Sequence, residues 1–197
     1  MLKIRYPAPP ARSRGVSIVE VLVTMVILAF GLLGVAGLQT RIGAAEMESY
    51  QRAQALLALS LMTERISANA AQAANYVTAG ALGTGDAEPA DCTTIAQGPN
   101  RDLCDWSNAL KGAGEQSGGA NTGAMIGARG CVAQLQAPNP ALGVCTAGVY
   151  QVSVAWQGTV ATAAQPGLAC AAGLYGANDA FRRVVAATVS TATTGCY

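Results

Sequence analysis

The stretch RSRGVSIVEVLVTMVILAFGLLGVAGL, residues 12–38, decides how the rest of the chain is interpreted. From Val21 to Leu38 no residue is charged, and Thr24 is the single polar side chain. An α-helix needs about 20 apolar residues to cross the roughly 30 Å hydrocarbon core of a bilayer, and irregular backbone is not tolerated in lipid. The sequence therefore predicts a transmembrane helix over residues 16–38.

The charges that flank this stretch predict its orientation. Lys3, Arg5, Arg12 and Arg14 precede it, and no acidic residue accompanies them. Because an excess of Lys and Arg marks the cytoplasmic flank of a spanning helix, the bulk of the chain is predicted to lie outside the cytoplasm. A cleaved secretory signal is the competing interpretation. Such signals have apolar runs of roughly 7–15 residues, so an uncleaved anchor fits the longer run better.

A lone carboxylate, Glu20, lies near the start of the apolar stretch. Charged side chains within membrane segments are costly and are usually functional and paired. The alternative is an interfacial carboxylate that reaches the water at the lipid headgroups and has no further role. The residues around it, Gly15-Val16-Ser17-Ile18-Val19-Glu20, follow a short basic leader and precede a long apolar helix. This arrangement resembles the class III signal of type IV prepilins.

The resemblance implies a maturation step and two functional residues. In that family a membrane-bound prepilin peptidase cuts directly after the glycine and methylates the new amino terminus. By resemblance the cut falls between Gly15 and Val16, residues 1–15 are a cleaved leader, and Val16 is N-methylated. Val16 departs from the phenylalanine that the family most often has there. Glu20 becomes the assembly carboxylate, which pairs with the new ammonium group when subunits pack helix on helix.

The strength of that pairing can be bounded. A carboxylate and an ammonium about 4 Å apart attract each other by roughly 4 kcal/mol at an effective dielectric constant of 20. Removing both charges from water consumes much of this energy. The pair is therefore expected to set the register between subunits more than their affinity.

Helical periodicity continues beyond the membrane segment, and residues 39–75 are predicted to form the amphipathic half of one helix of about 60 residues. Glu48 and Arg52 are predicted to form an i,i+4 ion pair on it. Four glycines either allow membrane helices to pack closely or let the helix bend. These are Gly31, Gly34, Gly37 and Gly43. The apolar positions at near-helical spacing are Leu38, Ile42, Ala45, Tyr50, Ala53, Leu57, Leu61 and Ile66.

Residues 76–197 are predicted to form a periplasmic head that contains a small antiparallel sheet. A short helix is predicted over 101–111, a surface loop over 112–127, and strands near 131–135, 149–156 and 181–191. In the second strand the odd positions Gln151 and Ser153 are predicted to face away from the core, and the pair Arg182-Arg183 is predicted to be solvated. A sheet with one apolar face needs a cover, which the amphipathic helix supplies. The predicted fold is α+β and type IV pilin-like, with a long N-terminal helix on a disulfide-stabilised sheet.

All six cysteines lie in the outer half of the chain, which is typical of an oxidising compartment. Six cysteines allow 15 pairings, and sequence alone does not select one. Bonds between sequence neighbours are predicted, each closing a short loop. No C-x-x-C spacing and no histidine occur, so neither a metal site nor another cofactor is expected. The predicted bonds are Cys92–Cys104, Cys131–Cys145 and Cys170–Cys196.

Charge and composition argue against two broad classes of function. Without histidine there is no Ser-His or Cys-His base, so we expect no enzyme. A paired-carboxylate hydrolase stays open, but the outer acidic residues lie in loop-like sequence, where solvated carboxylates are common. Removing the four cations of residues 1–15 leaves 8 Lys and Arg against 11 Asp and Glu, and no basic patch predicts nucleic-acid binding. The acidic residues concerned are Asp86, Glu88, Asp91, Asp102 and Asp105.

Further segments extend the resemblance to the PilV group of minor pilins. They are residues 21–39, 105–110, 150–156 and 181–185. The resemblance implies a minor pilin that helps initiate type IV pilus assembly. Its partners would be other minor pilins, the major pilin, the prepilin peptidase and the inner-membrane assembly platform. The protein would cross the bacterial inner membrane once and later enter the pilus fibre at the cell surface. The alternatives are a minor pseudopilin of a type II secretion system and an anchored periplasmic enzyme, adhesin or binding domain.

Overall fold

The computed structural model describes residues 15–123, 125–141, 143–163 and 165–192. Contacts divide the chain into an N-terminal unit, which ends at Ala44, and a C-terminal unit, which begins at Ala45. The described elements are α1 (Ile18–Ala68), a 3-10 segment (Ala70–Tyr76), β1 (Leu82–Gly83), α2 (Pro99–Leu110), β2 (Gln116–Ser117), β3 (Ala120–Asn121), β4 (Arg129–Gln136), β5 (Gly148–Gln157), a 3-10 turn (Ala177–Asp179) and β6 (Arg182–Thr191).

The long helix α1 has an identifiable start and end. Ser17 is its N-cap, since the Ser17 hydroxyl accepts a hydrogen bond from the Val19 N–H at 3.3 Å. The helix stops at Ala68, before Asn69, whose φ of −111° and ψ of 39° are not helical. Asn disfavours helix interiors because its side chain competes for backbone groups. The α-helix is therefore shorter than predicted, and most of the remaining stretch up to residue 76 is 3-10 helix.

The C-terminal unit contains a four-stranded antiparallel sheet in the order β1-β4-β5-β6. The β4–β5 register has an irregularity between Gln134 and Gln136, whereas β5 and β6 pair without interruption over ten residues. The predicted helix and the three predicted strands are present with small shifts of their ends. The predicted loop over 112–127 holds one additional element, the short β2–β3 hairpin.

The core lies between α1, α2 and one face of the sheet. Trp106 of α2 is fully buried, and its indole N–H donates to the Ala58 carbonyl of α1 at 2.8 Å. Gly130 of β4 is required there, because a Cβ at that position would come within 2.2 Å of the Trp106 ring. Further core side chains come from both helices, the 3-10 segment, the strands and Ala128: Ala55, Leu59, Met62, Ile66, Ala73, Tyr76, Leu110, Ala128, Val132, Tyr150, Val152, Val154, Trp156 and Val189.

The predicted buried face of α1 is wrong. Of the predicted apolar positions, Ile66 is buried, but Leu57 is 63 % exposed and Tyr50 is also exposed. Apolar residues occur on more than one side of this helix, so their spacing alone does not identify the side that meets the sheet. The residues of α1 that are buried are Gln51, Ala55, Leu59, Met62 and Ile66.

The opposite face of the sheet is covered as well, which the sequence analysis did not predict. Ser153 and Ala155 are buried on this face, as is Arg182, which is only 6 % exposed. The Arg182 guanidinium donates to the Leu168 carbonyl at 2.6 Å and pairs with Asp179 at 3.1 Å. Ser153 thus lies on the predicted face of the sheet, but the prediction of a solvated Arg182 side chain is wrong, because residues 168–175 pack over this face.

One of the two described disulfides, Cys131–Cys170, holds this second layer to the sheet. The predicted Cys92–Cys104 bond is present, with the two Cα atoms 5.9 Å apart. Cys131 of β4 bonds instead to Cys170, 39 residues away, so the predicted Cys131–Cys145 and Cys170–Cys196 bonds are wrong. The covering segment brings Cys170 onto β4, whereas sequence proximity had favoured Cys145. Cys145 is also disulfide-bonded, and Cys196 lies outside the described residues.

Candidate anchoring and assembly site

The predicted cleavage point lies just ahead of α1. Gly15, Val16 and Ser17 are exposed and not helical, and the helix begins at Ile18. A protease needs its substrate backbone in an accessible, extended form, and helical hydrogen bonds would have to be broken to provide it. The Gly15–Val16 bond is exposed and precedes the first residue of α1, so cutting it needs no unwinding of that helix.

Glu20 occupies a defined position in the first turn of α1. With Ser17 as N-cap, Glu20 is the third helical residue, and the S-x-x-E spacing is that of a capping box. A carboxylate there also interacts favourably with the positive end of the helix dipole. Among the described residues, the Glu20 carboxylate has no hydrogen-bond or ion-pair partner, so it is accessible to another group. The S-x-x-E spacing was visible in the sequence, but the capping pattern was not predicted from it.

Among the described residues, nothing covers the N-terminal part of α1. Every residue from Val16 to Leu38 is exposed, and the most apolar 18-residue window has a mean hydropathy of 2.6. It is the one helix within the described ranges that is long and apolar enough to cross a membrane. A Cβ added at Gly31, Gly34 or Gly37 would meet no atom within 4 Å. Packing among the described residues therefore does not require these glycines.

Two polar clusters fix the second half of α1 to the rest of the C-terminal unit. At the first, Glu48 pairs with Arg183 of β6 and accepts a hydrogen bond from the Thr159 hydroxyl at 3.3 Å. Arg183 also donates to the Thr162 hydroxyl at 2.7 Å. The predicted Glu48–Arg52 pair is therefore wrong, because a tertiary partner replaces the local one.

The second cluster lies at the end of α1. Arg65 donates to the Asp102 carboxylate at 3.0 Å, and the buried Tyr76 hydroxyl donates to the same carboxylate. The Asn69 amide donates to the Tyr76 hydroxyl at 2.8 Å. Burial, followed by the hydrogen bond to Asp102, raises the pKa of Tyr76 to about 12.

A third polar group stabilises the chain that precedes α2. Asp86 pairs with Lys111 and accepts hydrogen bonds from the Ser107 hydroxyl at 2.6 Å and the Gly83 N–H at 2.7 Å. Burial alone would raise the pKa of Asp86, but the hydrogen bonds from Lys111, Ser107 and the backbone outweigh it and hold the pKa below its usual value. Asp86 and Asp102 thus have structural partners, which accounts for two of the acidic residues noted in the sequence.

Within the described ranges, no group of three or more His, Cys, Asp or Glu side chains is placed to hold a metal ion. The described disulfide partners Cys92, Cys104, Cys131 and Cys170 also lack free thiolates.

Comparison with known proteins locates the family signal at the N-terminus. Residues 10–36 match the family described as the prokaryotic N-terminal methylation motif. No curated protein and no solved structure matches the chain. The matched range contains the Gly15–Val16 bond, Glu20 and most of the exposed apolar surface of α1. Such a motif implies processing by a prepilin peptidase and anchoring in a membrane. The chain therefore carries the class III signal of type IV pilins on an α+β, pilin-like fold.

Proposed function

We propose that this protein is a minor pilin, a structural and non-enzymatic subunit that helps initiate type IV pilus assembly together with other minor pilins. The observation that carries the proposal is the methylation motif over residues 10–36, positioned at an accessible bond and followed by an uncovered apolar helix. The proposal includes cleavage after Gly15, methylation of Val16, and a C-terminal unit on the periplasmic side of the inner membrane.

The proposed mechanism uses the exposed surface of residues 16–38 twice. In the membrane, lipid covers it, since the hydrophobic effect disfavours contact between so much apolar surface and water. In a filament, the helices of neighbouring subunits replace the lipid. Leader removal leaves an ammonium group at Val16, and Glu20 of one subunit pairs with that group of another. The uncut chain lacks this ammonium, so cleavage permits assembly.

The first experiment is mass spectrometry of the N-terminal peptide from membrane and sheared-filament fractions, with and without the prepilin peptidase. We expect a methylated chain starting at Val16 in cells that have the peptidase and a chain starting at Met1 in cells that lack it. A chain starting at Met1 in both strains would overturn the proposal and leave an ordinary anchored domain.

A pair of variants separates the two possible roles of Glu20. Glu20→Gln removes the charge but keeps a side chain suited to a capping box, whereas Glu20→Ala removes both. We expect both variants to fold normally and both to be lost from sheared filaments, because the charge pair is needed. Glu46→Gln, at an exposed acidic residue of the same helix, serves as the control and should be incorporated normally. Normal incorporation of Glu20→Gln would restrict the role of Glu20 to helix capping.

A minor pseudopilin of a type II secretion system is the second candidate, because the same motif serves that class as well. A deletion strain distinguishes the two. Loss of surface filaments with normal protein secretion supports the minor pilin, and loss of secretion with normal filaments supports the pseudopilin.

A further inference from the structure

The edge of the main sheet formed by β6 is open. Val132 exchanges hydrogen bonds with Thr78, its N–H donating to the hydroxyl at 3.1 Å and its carbonyl accepting from the Thr78 N–H at 3.0 Å. The backbone of Val132 therefore points away from β5. Val132 pairs with Val152, and Val152 with Ala187. Because antiparallel pairs alternate, the Ala187 backbone bonds to β5 and its neighbours point outward.

These outward groups have no partner among the described residues. The N–H and C=O groups concerned make no hydrogen bond in the rest of the described chain, and β6 pairs with β5 alone. The outward residues are Val184, Ala186, Thr188 and Ser190. The side chain of Val184 is buried, and the other three side chains are exposed.

The opposite side of the sheet, unlike the β6 edge, has features that cover or interrupt it. Along β4, β1 pairs with Gly130, Thr78 covers Val132, and an irregularity interrupts the strand near Gln136. Proteins commonly protect open edges with charges, prolines or bulges. From residue 184 to 191, β6 has no charge, no proline and no break in register. The absence of these protective features on one edge favours a strand that receives a partner.

A positively charged cavity lies at the start of this open edge. Its volume is about 180 Å³, and Glu48, Arg52, Thr162, Arg183 and Val184 contribute to its lining. Glu48 is paired with Arg183, whereas Arg52 is exposed and has no partner among the described residues. The uncompensated guanidinium suits a carboxylate, which it can hold by charge-assisted hydrogen bonds.

The spacing along α1 adds an apolar position beside the cation. Leu56 follows Arg52 by four residues, so the two lie on the same side of the helix, and Leu56 is half-exposed. Four helical residues rise about 6 Å, while two residues of a strand rise about 6.8 Å. An extended segment that runs along α1 would therefore match an acidic side chain at Arg52 with an apolar side chain, two positions away, at Leu56.

We infer that the β6 edge binds an extended segment of another protein as a fifth strand, with an acidic side chain of that segment held by Arg52. Main-chain hydrogen bonds to the outward groups of β6 supply the general affinity, and the Arg52 cavity supplies selectivity for the acid. This inference goes beyond the proposed function. It rests on the sheet and the cavity and does not depend on processing after Gly15.

The test uses the full chain in detergent micelles and two synthetic probes. The probes are fluorescein-labelled VTDTVTV and VTNTVTV with neutral, amidated C-termini, so the aspartate is the single charge of the peptide that differs between them. Binding is measured by fluorescence anisotropy, with empty micelles as the blank. We expect the aspartate probe to bind at least about tenfold more tightly than the asparagine probe. Equal binding of the two probes, or no binding of either, would overturn the inference.

Three variants assign the binding to its two components. Arg52→Gln should remove the preference for aspartate, and Arg101→Gln on α2 is the matched charge control that should not. Thr188→Pro removes one outward N–H without touching the β5 ladder, so it should weaken both probes at least fivefold while leaving the thermal melting of the protein close to that of the wild type. Unchanged binding to Thr188→Pro would show that no strand is added at β6.

Hydrogen exchange supplies a direct readout of the edge. On binding the aspartate probe, the peptide that covers β6 should exchange more slowly, and the peptide that covers β4 should not change. Protection of β4 instead, or of neither strand, would contradict strand addition at β6. The mass of the N-terminal peptide is unaffected by either result, so failure here is distinguishable from failure of the proposed function.

Discussion

The two halves of α1 show opposite relations between apolar sequence and burial. From Ile18 to Leu38 nearly every residue is apolar and none is buried, whereas from Ala45 to Ala68 charged and polar residues alternate with a buried stripe. In the second half, the sheet and α2 of the same chain supply the apolar surroundings. The first half must obtain its surroundings from lipid or from other helices. An apolar run therefore indicates the environment that a helix requires, and the described part of the chain supplies that environment for the second half only.

The largest expected effect tests whether the C-terminal unit depends on its own core. Trp106→Ala should lower the free energy of unfolding of this unit by about 3–5 kcal/mol, because it removes a fully buried ring and leaves a cavity. Denaturant unfolding followed by near-UV circular dichroism measures the change. Membrane retention of the variant should be normal, since the apolar half of α1 is untouched.

Leu135→Ala is the control for that substitution, because Leu135 is 56 % exposed. It should change the free energy of unfolding by less than about 0.5 kcal/mol. Equal destabilisation by the two substitutions would contradict the placement of the core between α1, α2 and the sheet.

The next prediction changes the apolar half of α1 and leaves the core of the C-terminal unit intact. Val26→Lys places a charge near the middle of residues 16–38, where insertion into a membrane costs about 3 kcal/mol. We expect a lower fraction of the protein in carbonate-washed membranes, with the thermal melting of the C-terminal unit unchanged. Val26→Leu is the matched control and should be retained like the wild type. Full retention of Val26→Lys would show that lipid does not cover this part of α1.

Sequence patterns predicted the parts of the fold that depend on local chemistry. The apolar run and the alternation in β5 predicted their elements, and the helix and strands appeared near their predicted positions. The buried face of α1 did not follow from spacing, because Gln51 is buried while Leu57 and Tyr50 are exposed. Which side of a helix meets a sheet depends on partners that are distant in sequence. The Cys131–Cys170 bond has the same origin, since it joins strand β4 to the segment that covers it.

The residues of the candidate site also differ in whether contiguous sequence could predict them. Gly15, Val16 and Glu20 could be identified because a processing signal is read from contiguous residues. Their proposed roles remain predictions. Ser17 as N-cap was also readable from the S-x-x-E spacing. In contrast, the Glu48–Arg183 pair joins residues 135 positions apart, and the i,i+4 pattern pointed to Arg52 instead. The open edge of β6 could not be predicted from the sequence either, because it depends on which strand ends the sheet.

The smallest expected effect is a dependence of stability on pH, which separates the C-terminal unit from the apolar half of α1. Because burial and the hydrogen bond to Asp102 raise the pKa of Tyr76 to about 12 from an ordinary value near 10, its stabilising contribution is complete below pH 10 and is lost as the pH rises towards 12. One pKa unit corresponds to about 1.4 kcal/mol, so this rise in pKa corresponds to about 2.7 kcal/mol. Tyr76→Phe should reduce the alkaline fall in melting temperature without abolishing it, since burial also raises the pKa of Tyr175.

The exposed Tyr50 provides the control, because Tyr50→Phe should leave the pH profile unchanged. Residues 15–44 contain no tyrosine, so this alkaline loss of stability belongs to the C-terminal unit. An equal alkaline fall in the melting temperatures of Tyr76→Phe and Tyr50→Phe would show that the Asn69–Tyr76–Asp102 cluster is not its cause.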